Sequence, residues 1–317
     1  MRCKKKRTMP KFSVVIAVYN KEAFIANTLQ SVFDQTEQDF ELLILNDGST
    51  DNSEQAIAPF TKDPRVHYFS EPNQGAGAAR NYLIKKATAS LIALLDADDL
   101  WHSHHLETHS ILQTAYPKES VFATNSELKH GDIITKRHFS IPTEGREHLI
   151  TNFFEASLQD SIINSSTAVI KNEVFKKVGL YNPTITSGQD TDLFIRIGLA
   201  YSIAFHTSTT ATILRNNSSL SNRSNVAQKA KFTEYEMEEQ TNASLKKFLD
   251  LNRYSLCIEA RLSKHEDVYR HHFQKIDLAN LNKKQRFLIR QNLNVLNVML
   301  GLKKIGKSLG LNLSSFR

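Results

Sequence analysis

Three aspartates directly follow a short apolar run, and they are the strongest chemical signal in this sequence. The run Leu91–Leu95 leads straight into Asp96, Asp98 and Asp99. A short, uninterrupted apolar run is typical of a strand buried on both faces in a parallel sheet. Open α/β sheets bind ligands just beyond the carboxyl ends of such strands. Because carboxylates repel one another, a cation or a metal-bound phosphate is the simplest reason to gather them. An acidic turn that caps the next helix remains an open alternative.

Three further polar residues stand at positions suited to binding or catalysis. Asp47 follows the second apolar run and could accept a hydrogen bond from a base or a ribose, although Asp47-Gly48 is also ordinary turn chemistry. Arg80 ends a weak near-match to a dinucleotide fingerprint and could bind a phosphate, or simply lie on the surface. Asp190 stands at the start of a predicted helix, where it could act as a general base or as a plain N-cap.

Alternating strands and helices must position these side chains. The predicted strands in the first hundred residues are 12–18, 41–45, 66–69 and 91–95, with a helical pattern after each of the first three. This spacing predicts an α/β fold with a mostly parallel central sheet and right-handed crossovers. Beyond Trp101 the pattern predicts strands at 120–124, 167–170 and 203–214, a helix after Gly188, and a helical C-terminal extension from about residue 228.

Composition excludes several classes of protein. The chain has 317 residues, of which 40% are hydrophobic and 23% charged, so a disordered or fibrous protein is excluded. It has no uninterrupted apolar window of about 18 residues, so a membrane-spanning helix is not expected. Its two widely separated cysteines suit a reducing compartment. A cytoplasmic location is therefore expected.

The net charge of +7 is concentrated near the chain ends. Residues 278–317 hold eight of the forty Lys and Arg and no Asp or Glu, so the remainder carries 32 basic against 33 acidic residues. A broad nucleic-acid-binding face is therefore not expected. The tail combines an apolar stripe, from Ile289 to Leu302, with flanking lysines and arginines. This pattern predicts either contact with an anionic membrane surface or a helix packed on the preceding domain.

Taken together, the motifs resemble those of the inverting family 2 glycosyltransferases with the GT-A fold. The motifs occur in the expected order and are Val14–Asn20, Asn46–Asp51, Asn73–Asn81, Asp96–Asp99 and Gly188–Arg196. The resemblance covers roughly residues 10–220. It implies a GT-A domain at residues 10–225, preceded by a basic arm at 1–9 and followed by an α-helical region with a basic amphipathic tail at 226–317.

The resemblance also implies a role for each matched residue. Asp190 would be the catalytic base, Asp98 would hold Mn²⁺ or Mg²⁺, and the nucleotide-sugar donor would be bound by Ala17, Tyr19, Asp47, Arg80, Asp96 and Ala97. The expected partners are a UDP- or dTDP-sugar and a glycan or lipid-linked saccharide acceptor in bacterial surface-polysaccharide synthesis. The expected location is cytoplasmic, with peripheral contact at the inner face of the membrane.

The sequence departs from the family pattern at three places. Gln189 stands where the family usually has Glu, Ala17 where Pro is usual, and Asn in the segment 215–221 where His is common. Two other functions stay open at this level. One is a nucleotide-sugar-binding protein without catalysis. The other is a metal-dependent phosphatase of the haloacid-dehalogenase type, although Leu100 occupies a position where those enzymes expect Thr or Val.

Overall fold

One mixed sheet forms the centre of the molecule. The computed structural model describes residues 9–185, 187–215, 226–229 and 231–308. Within these residues ten strands form the sheet, with eight of them in the order β3-β2-β1-β4-β9-β6-β10-β5, while β7 pairs with β6 and β8 with β10. The strands are β1 Phe12–Val18, β2 Phe40–Asp47, β3 Val66–Glu71, β4 Leu91–Leu94, β5 Leu100–Trp101, β6 Val121–His130, β7 Ile133–Lys136, β8 His148–Thr151, β9 Ala168–Lys171 and β10 Ile203–Leu214.

The first four strands are parallel, as the sequence pattern predicts. Val14 of β1 pairs in register with Leu42 of β2 and with Ala93 of β4, and all residues of β2 and β4 are buried. Burial on both faces explains why these strands read as continuous apolar runs. Their parallel arrangement places the ends of β1, β2 and β4 at one edge of the sheet.

The second half of the sheet has mixed strand directions. β9 lies between β4 and β6 and is antiparallel to both. β10 runs parallel to β6, with register shifts between His206 and Ala211 that let its far end turn and pair with β5. The short strands β7 and β8 add antiparallel pairs to β6 and β10.

Helices cover both faces of the sheet. Those in the first part of the chain are α1 Ile25–Phe33, α2 Ser53–Ile57, α3 Ala76–Lys86, α4 His105–Ala115, α5 Phe153–Ala156, α6 Asn172–Val178 and α7 Gln189–Ala200. Adjacent strand residues enter opposite layers of the core: Leu42 packs in the cluster with α1 and α4, whereas Leu43 packs in the cluster with α3 and α7. This alternation follows from the two-residue period of a strand.

The C-terminal helices pack on the second of these layers. They are α8 Glu238–Thr241, α9 Ala243–Leu262, α10 Glu266–Phe273, α11 Lys283–Leu288 and α12 Leu293–Ser308. Phe248 of α9 lies 5.3 Å from Phe153 and 5.6 Å from Phe154 between ring centroids. The C-terminal region therefore shares a core with the sheet domain. The predicted domain boundary at 225/226 adjoins residues 216–225, which lie outside the described part of the chain, and it stays a prediction, as does the arm at 1–9.

Among the described residues, no helix is both long and apolar enough to cross a lipid bilayer.

Candidate functional site

A pocket of about 670 Å³ opens at the carboxyl ends of β1, β2 and β4. All eight residues to which the sequence resemblance assigned a role line it, although they come from five separate segments of the chain: Ala17, Tyr19, Asp47, Arg80, Asp96, Ala97, Asp98 and Asp190. The parallel strands explain the convergence, because their carboxyl ends meet at one edge. Helices α3 and α7 then bring Arg80 and Asp190 to the same place.

Arg80 joins two carboxylates across the floor of the pocket. Its Nη2 lies 2.5 Å from Asp96 Oδ1, and its Nη1 lies 3.4 Å from Asp190 Oδ1. The guanidinium also stacks 5.4 Å from the ring centre of Tyr181. Burial alone would lower the pKa of Arg80, but the charges of Asp190 and Asp96 raise it above the ordinary value. Arg80 is therefore a permanent cation that fixes the positions of both acids.

Asp190 combines a constrained position with access to the pocket. Gly188, in the left-handed region with φ +84°, precedes the first turn of α7 and directs Asp190 inward. Ser165 Oγ donates a 2.9 Å hydrogen bond to Asp190 Oδ1, while 39% of the side-chain surface stays exposed. Burial among protein atoms raises the pKa of Asp190, with Asp96 adding to the effect, whereas Arg80 and Ser165 oppose it. A carboxylate held this way can accept a proton from a bound hydroxyl group.

Asp98 forms an ion pair with a lysine that the sequence analysis did not single out. Lys21 Nζ lies 2.5 Å from Asp98 Oδ2, and the two side chains are only 15% and 14% exposed. Within the described residues, no three His, Cys, Asp or Glu side chains converge as a metal site. Mg²⁺ commonly takes only one or two protein carboxylates, with substrate phosphates supplying further ligands. A single carboxylate such as Asp98 can serve as one ligand of such a cation, and in this structure Lys21 supplies the positive charge beside it.

Asp99 has a different position from its two neighbours. The alternative that this acidic turn caps a helix is wrong, because Leu100 and Trp101 form β5 and the next helix begins only at His105. Asp99 is 3% exposed and accepts hydrogen bonds from Ser166 Oγ at 2.5 Å and from the Leu214 amide at 3.0 Å. Its buried carboxyl group ties the end of β10 to the pocket.

Asp47 is buried behind the opposite end of the pocket. Its two carboxylate oxygens accept hydrogen bonds from the backbone N–H groups of Gln74 and Gly75 at 2.9 and 3.0 Å. Asp47 thus orients the loop that leads into α3, the helix that carries Arg80. Tyr19 is 41% exposed and lines the same pocket.

Three residues of the site gave no clear sequence signal. Lys21 directly follows the Val14–Asn20 motif, so its position in the pocket could have been expected. Ser165 and Tyr181 belong to no motif, and only the folding of β9 and α6 against α3 and α7 brings them to Asp190 and Arg80.

Comparison with known proteins places this site in a family context. The sequence model of the family described as Glycosyl transferase family 2 matches residues 13–179. An uncharacterized glycosyltransferase of Rickettsia bellii is 33% identical over 195 residues, covering 59% of this chain and 26% of the relative. A putative teichuronic acid biosynthesis glycosyltransferase of Bacillus subtilis, TuaG, is 28% identical over 234 residues, covering 72% of this chain and 89% of TuaG. The chain thus spans about a quarter of the length of the R. bellii relative.

Solved structures show the same fold. S. aureus TarS residues 1–349 in complex with UDP-GlcNAc superposes with a TM-score of 0.57 at 16% identity, covering 89% of this chain and 92% of that one. A longer TarS structure gives a TM-score of 0.63 at 18% identity, covering 91% of this chain and 53% of that one. At this level of identity the likeness establishes the fold, and the expected GT-A-like arrangement with C-terminal helices is confirmed.

Proposed function

The chain belongs to glycosyltransferase family 2, and from that premise we propose that it transfers a sugar, with inversion, from a UDP- or dTDP-sugar to a hydroxyl group of a glycan or lipid-linked saccharide. The observation that carries the proposal is the contact of Asp190 with both Arg80 and Ser165. The ion pair of Asp98 with Lys21 lies in the same pocket. This arrangement supplies a base for an incoming hydroxyl group and cations for a leaving diphosphate.

Each residue then has a definite task. Asp190 takes the proton from the acceptor hydroxyl, and Arg80 keeps Asp190 and Asp96 in place for donor and acceptor. Asp98 is the ligand for Mn²⁺ or Mg²⁺, which when bound offsets negative charge on the diphosphate. Lys21, released from Asp98, is positioned to contact the same phosphates.

The nucleotide is assigned to the end of the pocket formed after β1 and β2. Tyr19 offers an exposed aromatic face for the base, and the Asp47 carboxylate is assigned as an acceptor for its N–H groups. Ala17 and Ala97 leave room at the pocket wall. The TarS structure with UDP-GlcNAc supports a uridine nucleotide as the first candidate. The name of the TuaG relative supports a role in surface-polysaccharide synthesis.

Contact with a membrane is part of the proposal. Phe287, Val298 and Leu302 in the C-terminal helices are 54%, 64% and 59% exposed. The same region of the chain also has four exposed basic side chains: Lys283, Lys284, Arg286 and Arg290. Exposed apolar side chains together with cations suit an anionic lipid surface, where a lipid-linked acceptor would be presented.

A thermal-shift screen of nucleotide sugars with Mn²⁺ tests the donor assignment. At least one UDP- or dTDP-sugar should raise the melting temperature of the wild type, and Asp98→Ala should lose most of the metal-dependent part of the rise. Asp132→Ala, an exposed acid in the β6–β7 turn, is the matched control and should behave as wild type. The absence of a shift with every nucleotide would refute the proposal.

Loss of turnover with retained binding separates an enzyme from a binding protein. Asp190→Asn should keep UDP binding and lower transfer by about 10²- to 10⁴-fold, the usual contribution of a general base. Equal transfer by Asp190→Asn and the wild type would show that Asp190 is not the base.

A further inference from the structure

Arg137 is a cation at the wall of the pocket that the proposed chemistry does not use. It follows β7 and lines both the main pocket and an adjoining cavity of about 300 Å³. Its Nη2 donates a 3.0 Å hydrogen bond to the Ser161 carbonyl, whereas its buried Nε has no hydrogen-bond partner among the described residues. A buried N–H group without a partner is unfavourable unless a ligand supplies an acceptor.

A second cation stands on the same wall. Arg215 follows β10, lines the main pocket and has an exposed side chain. Among the described residues, neither Arg137 nor Arg215 has a carboxylate within salt-bridge distance. The residues outside the described ranges contain no Asp or Glu that could serve. Asp160 and Asp99 act on Arg137 through their charges but form no salt bridge with it. The two arginines are therefore a pair of cations on one wall, and the Arg137 Nε–H is left for an anion to bind.

The topology puts this cationic wall on the acceptor side. Tyr19 and Asp47 follow β1 and β2, while Arg137 and Arg215 follow β7 and β10, on the other side of β4 and β9 in the sheet. Asn164, which also lines the pocket, directly precedes Ser165, whose hydroxyl group donates to Asp190. The cations are therefore separated from the nucleotide end by the carboxylates of the centre.

We propose that Arg137 and Arg215 form a subsite for an anionic group, a phosphate or a carboxylate, carried by the acceptor whose hydroxyl group faces Asp190. The proposal rests on the proposed function, because it names the substrate class of the same pocket. Arg137 would use its free Nε–H, and Arg215 would close on the anion from the exposed side. An acidic acceptor, either a phosphate-linked saccharide or a uronic-acid-containing glycan, is then preferred to a neutral one.

Calorimetric titration of small anions into the chain saturated with UDP and Mg²⁺ tests the subsite. The probes are inorganic phosphate and glucuronate, with glucose as the neutral control. The anion that binds shows whether the acceptor carries a phosphate or a carboxylate. Arg137→Gln and Arg215→Gln should each weaken anion binding by about tenfold, as expected for loss of a charge-assisted hydrogen bond. Arg146→Gln, an exposed arginine outside the pocket, should leave binding unchanged.

Two outcomes would overturn the proposal. One is UDP binding without binding of either anion to the wild type, and the other is equal anion affinity in all variants. Arg215 is exposed, so its variant reports on the subsite even where Arg137→Gln fails to fold. A wild-type chain that does not bind UDP at all would refute the proposed function and the subsite with it.

Discussion

At the scale of single residues, the contacts of the Asp190 carboxylate decide its position and its pKa. One serine and one arginine hold the carboxylate, and both favour its ionised form, while burial and Asp96 favour the protonated form. A general base works best when its pKa approaches the working pH. The raised pKa of Asp190 therefore matches the role proposed for it.

Removing the serine should move the pH profile in a definite direction. Ser165→Ala takes away a hydrogen bond that lowers the pKa of Asp190, so that pKa should rise. Because the base must be ionised, the acidic limb of kcat/KM should shift to higher pH, with little change on the alkaline plateau. The measurement is kcat/KM against pH for the wild type, Ser165→Ala and the control Ser70→Ala, which is exposed on β3. A shift to lower pH would contradict the assignment of Asp190 as the base.

At the scale of elements, the turn after β2 fixes the nucleotide end of the pocket. Gly48 has φ +70°, and a Cβ atom at this position would lie 2.7 Å from the Asn73 amide nitrogen. The Asn73 side chain also donates a hydrogen bond to the Asp47 carbonyl at 2.9 Å. The chain can bring these two loops together only because residue 48 lacks a side chain.

Gly48→Ala should therefore destabilise the protein through both strain and a steric clash. Gly131→Ala is the matched control, since Gly131 also has a positive φ of +57°, but a Cβ atom added there would meet no heavy atom within 4 Å. Left-handed strain alone costs about 1–2 kcal/mol. Urea unfolding should show that cost for Gly131→Ala and a larger one for Gly48→Ala, together with weaker UDP binding only in the latter. Equal losses in both variants would mean that the loops do not pack this closely.

Helix α4 contains histidines that make the fold sensitive to acid. His109 is 1% exposed, its ring centre lies 4.7 Å from that of His105, and burial together with His206 lowers its pKa from 6.5 to about 3. The folded state therefore keeps His109 neutral, whereas the unfolded chain takes up a proton below pH 6.5. Stability is fully present above pH 6.5 and falls as the pH decreases from there towards 3, by about 1.4 kcal/mol per pH unit for this residue.

Substitution of His109 should reduce this acid sensitivity. The free energy of unfolding of His109→Leu should fall by about 2 kcal/mol less than that of the wild type between pH 6.5 and pH 5. Urea unfolding at the two pH values measures the difference, and His138→Leu, at an exposed position, serves as the control. The same pH dependence in all three proteins would show that His109 is not held neutral by the fold.

At the scale of the whole molecule, the C-terminal helices contribute both to the core and to the surface. Leu245 and Leu249 are fully buried in the cluster that includes Phe153, and the Tyr269 hydroxyl donates to the Ile289 carbonyl at 3.1 Å. Val298 and Leu302 in α12 remain exposed. Deletion of the tail would thus disturb the core and the proposed membrane surface together.

Charge reversal tests the membrane surface without disturbing the core. Lys283, Arg286 and Arg290 are exposed, and changing all three to Glu should abolish flotation with vesicles containing phosphatidylglycerol, because each basic residue contributes about 1 kcal/mol near an anionic surface. Changing the exposed Lys62, Lys85 and Lys118 to Glu provides the control with equal net charge. Equal flotation of the two triple variants would refute contact through the C-terminal helices.

The sequence by itself determined the parallel half of the sheet and the residues that meet at its edge. Strands buried on both faces appear in the sequence as apolar runs. The polar residues that follow them lie close together because the carboxyl ends of parallel strands meet at one edge of the sheet. The four predicted strands at 12–18, 41–45, 66–69 and 91–95 agree with β1 to β4 within two residues at every end, and all eight predicted site residues line one pocket.

Only the tertiary structure decided the contacts that set the chemistry of those residues. Three of these contacts join positions 25 to 115 residues apart in the sequence. They are the ion pair of Lys21 with Asp98 and the hydrogen bonds of Ser165 with Asp190 and of the Leu214 amide with Asp99. The antiparallel insertion of β9 and the pairing of β7 with β6 create the remaining surroundings, including the wall that carries Arg137. Such contacts depend on strand direction and on long-range packing, which leave no periodic pattern in the local sequence.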